Sequence, residues 1–188
     1  MIGRMAERTL SSERHFSGTL LTLRVDQVEL ADGRRSHREI VEHPGAVAIV
    51  AWDGARLALV RQWRHAVGRE MLEVPAGTLD GDEGPEAAAR RELAEECSLG
   101  ADYWERGPSF FTAPGFTTEE LTVYLATGLH PTEAHQADDE DLEVMWLTLV
   151  DAVAAADDGR IADAKSLVAI GWLGRRLEPQ APPTGRQR

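Results

Sequence analysis

Apolar and polar positions divide the chain into alternating and continuous stretches. From Gly18 apolar residues recur at Leu21, Leu23, Val25, Val28 and Leu30, then Asp32-Gly33 marks a turn before residues 36–41. That pattern predicts a small antiparallel sheet of about three strands, marginal alone and in need of the main body or another subunit to pack on. The residues before it, 1 to about 15, are polar, carry Arg4, Arg8 and Arg14 and keep no period, which predicts a loose or partner-stabilised start. After Pro44-Gly45, residues 46–52 are almost continuously apolar, the mark of a strand buried on both faces. The Asp53-Gly54 turn predicts that residues 56–64 return beside it as a hairpin partner. Residues 71–74 read as a strand that Pro75-Ala76-Gly77 stops.

A helix is predicted next, with Pro85 in its first turn, Glu86 near the positive end of its dipole and a modest apolar stripe of Ala89, Leu93 and Cys97 facing the sheet. Beyond Gly100 the pattern weakens through Tyr103-Trp104 and a loop at 112–116, until residues 121–126 give a clear strand. Residues 128–141 read as a polar, acidic loop, 142–147 as a strand, 150–158 as a short helix stopped by Gly159 and 162–177 as a longer amphipathic helix. The tail 179–188, with Pro182-Pro183, reads as disordered.

With 188 residues the chain suits one domain with an annex, and a 43% hydrophobic, 28% charged composition excludes wholesale disorder. Its formal net charge of −12 argues against nucleic acid or an anionic membrane as partner, yet leaves room for a small anionic substrate if cations neutralise the contact. A lone cysteine, Cys97, cannot make an internal disulfide, which fits a reducing compartment. Without a signal-peptide run or an apolar stretch near the ~20 residues of a membrane span, the expected location is cytoplasmic.

The candidate chemistry lies between Gly77 and Leu99. Glu92, Glu95 and Glu96 stand at helical spacings that bring carboxylates to one face. Like charges so placed repel by a few tenths of a kcal/mol per pair, so the cluster predicts a cation between them. Hard oxygen donors select Mg²⁺ or Mn²⁺.

The residues Gly77, Glu83, Arg91, Glu92, Leu93, Glu95, Glu96 and Leu99 resemble the Nudix box, written Gly, five residues, Glu, seven residues, Arg-Glu-aliphatic-any-Glu-Glu-any-Gly-aliphatic. Only Ser98 departs, where the family has a glycine expected to cap the helix in the left-handed conformation; Gly100 is expected to take part of that role. Outside the box, His43-Pro44-Gly45, Arg61-Gln62-Trp63-Arg64, Glu73-Val74-Pro75-Ala76-Gly77, Pro114-Gly115-Phe116 and Asp163-Ala164-Lys165 resemble the ADP-ribose pyrophosphatase branch of that family. Pro114 stands fifteen positions beyond Leu99, about where that branch places a proline associated with its substrate class.

The resemblance implies an α/β fold, an α/β/α sandwich with a mixed sheet and a small N-terminal antiparallel annex. Residues 1–43 would be the annex and dimerisation element, 44–178 the catalytic domain and 179–188 the tail. The implied activity is cation-dependent hydrolysis of ADP-ribose to AMP and ribose 5-phosphate by a homodimer. Glu92 and Glu96 are the implied main metal ligands, with the Ala76 carbonyl completing one site and Glu95 a further ligand or a partner of the attacking water. Arg91 is expected to be structural. Glu140, within the acidic run of Asp138, Asp139 and Asp141, is the expected base or additional metal ligand. Arg64 is expected on a phosphate and Glu73 on the terminal ribose or adenine, or each as a strand-end residue. Pro114, Gly115 and Phe116 form the expected substrate loop, and Phe116 or Trp63 is placed to stack on adenine. Another nucleoside diphosphate sugar or a dinucleotide as substrate, and a sensor that binds without cleaving, stay open as alternatives.

Overall fold

The computed structural model describes residues 6–133 and 142–178. In chain order it contains β1 (Arg8–Ser17), β2 (Thr22–Glu29), β3 (Arg35–Glu42), β4 (Ala46–Ala51), β5 (Arg56–Arg64), β6 (Arg69–Glu73), β7 (Ala76–Thr78), α1 (Pro85–Cys97), β8 (Leu99–Phe111), β9 (Glu120–Pro131), β10 (Glu143–Thr148), α2 (Leu149–Asp157) and α3 (Ala164–Leu177). The first three strands form an antiparallel annex, β1-β2-β3; the body has a mixed sheet, β7-β4-β9-β8, and an antiparallel one, β10-β5-β6.

Alternating side chains of the buried strands serve two cores. Val47, Ile49 and Ala51 of β4 meet Ala58 and Val60 of β5 and the α1 stripe of Ala88, Ala89, Leu93 and Cys97. Their neighbours Ala48 and Val50 pack with Leu57, Leu59, Ala152, Ala155, Ala169, Ile170 and Leu173, on the side of α2 and α3. This is the α/β/α sandwich, with α1 on one face and α2 and α3 on the other. None of the described helices is long and apolar enough to cross a membrane.

Several expectations need correction. Of the loose or partner-stabilised start, the loose reading gives way: Arg8–Ser17 is a regular strand, although all ten residues of β1 are exposed and a polar, aperiodic sequence gives no burial signal to read. Strands β4 and β5 are not ladder partners: the Asp53-Gly54 turn is real, with Asp53 N–H donating to the Arg56 carbonyl at 3.0 Å, but only a Trp52–Leu57 bridge joins the two. The edges of β4 are taken by β7 and, in parallel, by β9, while β5 lies between β10 and β6. Strands apolar on both faces carry no pattern that chooses among such partners. The weak region after Gly100 is β8, an edge strand whose ladder to β9 shifts between Arg106 and Ser109, around Gly107 and Pro108. Edge position and a bulge are where a strand tolerates proline. Residues 128–131 extend β9 rather than opening the acidic loop. Ser98 itself adopts the left-handed conformation, φ 53°, and donates to the Ala94 carbonyl, so Gly100 is not needed as a cap.

Candidate functional site

The site begins at the turn from β7 into α1. Pro85 at the first helical position starts α1, and its sparse apolar stripe leaves the facing side to charge. On that side Arg91 is the hub: it donates to Glu83 at 2.7 and 3.3 Å, to Glu92 at 2.7 Å, to Glu95 at 3.0 Å and to the Thr78 carbonyl at 3.2 Å. Glu83 Oε1, which takes the shorter Arg91 bond, also accepts from the Asp80 N–H at 2.8 Å. The Arg91 hydrogen bond, then that N–H, keep the Glu83 carboxyl below the usual carboxylate range, and Arg91 itself is raised, first by Glu83. Held among Glu83, Glu92 and Glu95, Arg91 has the structural place expected of it.

Two carboxylates press on the β7 backbone. Glu96, only 4% exposed, accepts from the Ala76 N–H at 2.9 Å. Glu92 lies against Gly77 so closely that a Cβ built on that glycine would overlap its carboxylate. A glycine is required at 77 for close approach rather than for an unusual φ. Glu95 sits at the rim, its side chain 41% exposed.

The donors of this cluster are oxygens only, and Glu83, Glu92 and Glu95 share the one guanidinium of Arg91 while Glu96 accepts from the Ala76 N–H, so their chemistry fits a divalent cation. Glu92, Glu96 and Ala76 would hold it, with Glu95 at the edge. As the side chains stand, no group of three acids, histidines or cysteines among the described residues is gathered closely enough to hold a metal ion, since Arg91 draws Glu92 and Glu95 to itself.

A second cluster joins the ends of β5 and β6 to the start of α3. Glu73 is 2% exposed, and Arg64 grips it through Nε, 3.0 Å to Oε1, and Nη2, 2.7 Å to Oε2. Lys165 also donates to Oε2 and, at 2.9 Å, to Asp163, the α3 N-cap. Burial by itself would raise Glu73, but the hydrogen bond from Arg64 and the charge of Lys165 outweigh it and leave the carboxyl below the ordinary range. Arg64 is raised by its hydrogen bond to Glu73 and by the charges of Glu73, Glu96 and Asp163, so this cluster lies within the field of the box helix. Sequence reasoning gave Lys165 no role. The available signal was a cation in the first turn of a helix, where the dipole disfavours it.

The Pro114 loop lies elsewhere, beside the annex. Val41 N–H donates to the Phe116 carbonyl at 2.8 Å and Thr118 N–H to the Val41 carbonyl at 3.0 Å. Pro114, Gly115 and Phe116 thus line a cleft of about 330 Å³ with Arg24, Arg38 and Ile40. Phe116 and Trp63 are both more than half exposed, 58% and 59%. Asp138, Asp139, Glu140 and Asp141 lie outside the described residues.

Comparison with known proteins gives concordant results. Residues 42–169 match the NUDIX domain, and residues 7–41 match the nucleoside diphosphate sugar hydrolase N-terminal domain. The chain is 41% identical to an ADP-ribose pyrophosphatase of Bacillus subtilis, over 94% of this chain and 97% of that protein. It is 39% identical to a methanol dehydrogenase activator of Bacillus methanolicus, over 89% and 92%. In three dimensions it resembles the crystal structure of an ADP compounds hydrolase, with a TM-score of 0.82 over 91% of this chain and 94% of that one at 23% identity.

Proposed function

The chain belongs to the Nudix family, and on that premise we propose that it hydrolyses the pyrophosphate bond of ADP-ribose, giving AMP and ribose 5-phosphate, with Mg²⁺ or Mn²⁺ as cofactor. The observation that carries the reading is the intact box around Arg91, in which Glu92 and Glu96 are pressed onto the Ala76-Gly77 backbone. A sensor that only bound nucleotide would not need that set. When bound, the cation would offset the repulsion between diphosphate and carboxylates and make water a better nucleophile. Glu92, Glu96 and the Ala76 carbonyl are its ligands in this reading. Arg91 keeps Glu92 and Glu95 from splaying, and Glu95 is placed to orient a water. Arg64 offers its free edge to a phosphate oxygen, and Pro114, Gly115 and Phe116 meet the rest of the substrate. Glu140 as the base rests on sequence alone; Glu140→Gln should lower kcat with little change in metal affinity, and an unchanged kcat removes it from the role.

The deciding experiment is phosphatase-coupled phosphate release over a panel of nucleoside diphosphate sugars and dinucleotides, with Mg²⁺, Mn²⁺ or chelator. ADP-ribose is expected to give the highest kcat/KM, and chelator to abolish turnover. Tight binding of ADP-ribose without turnover of any member would overturn the enzyme reading. A preference for another sugar nucleotide would keep the reaction and change the substrate. Glu96→Gln should remove turnover with the fold intact.

We also propose a cytoplasmic homodimer in which residues 1–43 form the dimerisation annex to a catalytic part at 44–178. The exposure of β1 along its whole length, with Leu10, Phe16 and Leu20 all exposed nearby, supports an interface there. A monomer by light scattering at micromolar concentration would count against it.

A further inference from the structure

Lys165 follows the Asp163 cap of α3 by two residues, so its charge stands near the positive end of the helix dipole. It turns inward, with its side chain 14% exposed and its ammonium committed to Glu73 and Asp163. Glu73 is the more deeply buried partner, and a carboxylate taken out of water needs both pairing and hydrogen bonds. It obtains them from two elements, Arg64 of β5 and Lys165 of α3. The main chain makes the same joint: Val74 N–H donates to the buried Ser166 hydroxyl at 2.9 Å, and Ser166 N–H to Asp163 at 3.0 Å. The charged groups that bear on this cluster are therefore Arg64 from β5, Lys165 and Asp163 from the start of α3, and Glu96 from α1.

Arg64 grips Glu73 with the edge formed by Nε and Nη2, its Nη1 makes no hydrogen bond among the described residues, and 41% of its side chain is exposed. Covered and committed as it is, Lys165 does not itself reach substrate. We propose that Lys165 is a positioning residue for the diphosphate: by sharing Glu73 it fixes that carboxylate, which in turn presents the free edge of Arg64 to a phosphate oxygen. Without the lysine, Glu73 must turn toward its remaining cation or take up a proton, and either change reseats the guanidinium. The inference rests on the reading that Arg64 meets the diphosphate.

The test is steady-state kinetics on the full chain with ADP-ribose at saturating Mg²⁺, comparing Lys165→Met, Arg64→Ala and the double variant. Lys165→Met is expected to raise KM about tenfold, the worth of one charge-assisted hydrogen bond, with kcat within about threefold. A merely structural role would lower the folded fraction and hence apparent kcat, leaving KM unchanged. Arg64→Ala should raise KM at least as much, and adding Lys165→Met to it should do nothing further, because the lysine acts through the arginine. An unchanged KM in Lys165→Met, or additive effects in the double variant, overturns the positioning role while Arg64 keeps its own. An unchanged KM in Arg64→Ala overturns the reading of Arg64 itself. Should Lys165→Met fail to fold by circular dichroism, Lys165→Gln, which keeps an N–H donor but no charge, reads the same quantities.

Discussion

Gly77→Ala separates the chemistry of the site from the stability of the fold. The added methyl would occupy the space of the Glu92 carboxylate, and β7 cannot retreat from it, because Ala76, Gly77 and Thr78 are in register with Ala48, Val47 and Ala46 of β4. Glu92 must therefore rotate away. Its side chain is 13% exposed and flexible, so the cost to folding is an off-rotamer strain of about 0.5–1.5 kcal/mol and a hydrogen bond to Arg91 worth about 1 kcal/mol. For a chain of this length that lowers Tm by roughly 3–10 °C. The effect on reaction is larger, since a ligand displaced by an ångström or more from its productive place costs on the order of 100-fold. Circular dichroism melting and phosphatase-coupled turnover of ADP-ribose at saturating Mg²⁺ measure the two separately. A kcat within about threefold of the parent would refute the claim that Glu92 must stay against Gly77.

Other expectations follow from particular residues. Ser98→Gly should stabilise the chain by about 1 kcal/mol in urea unfolding, because serine holds φ 53° where glycine is unstrained; a loss of stability would count against strain at that cap. Gly174→Ala, in α3 with open space where its Cβ would stand, should add about 0.5–1 kcal/mol, and no gain would mean the helix end tolerates glycine freely. Glu73 is depressed in the folded chain, so the unfolded chain binds its proton more readily. Its contribution is complete above the ordinary glutamate value of about 4.3 and is lost as pH falls through the folded value. The urea midpoint should accordingly fall on acidification below about pH 4.3, less steeply in Glu73→Gln, and equal slopes in that window would refute it.

The local signals in this chain are strong wherever covalent geometry or period decides. Pro85 opens α1, the Asp53-Gly54 turn forms with Gly54 at φ 101°, and the box spacing alone brings Arg91 and Glu95 into contact, since residues four apart on a helix need no tertiary help to meet. Strand partners were beyond such signals. Strands β4 and β5 are apolar on both faces, and their sheets were chosen by which edges other strands had filled. Edge strands β1 and β8 bury too little to leave a periodic trace.

The same division runs through the site. The sequence by itself determined the acidic box and the chemistry of its donors, because helical spacing is a local property. Only tertiary structure decided that Glu73 is buried between Arg64 and Lys165, residues separated by most of the chain, and that the Pro114 loop docks on the annex. Charge pairs of that kind depend on which strand end meets which helix start, a choice made by packing of the two cores and written in no single stretch of residues.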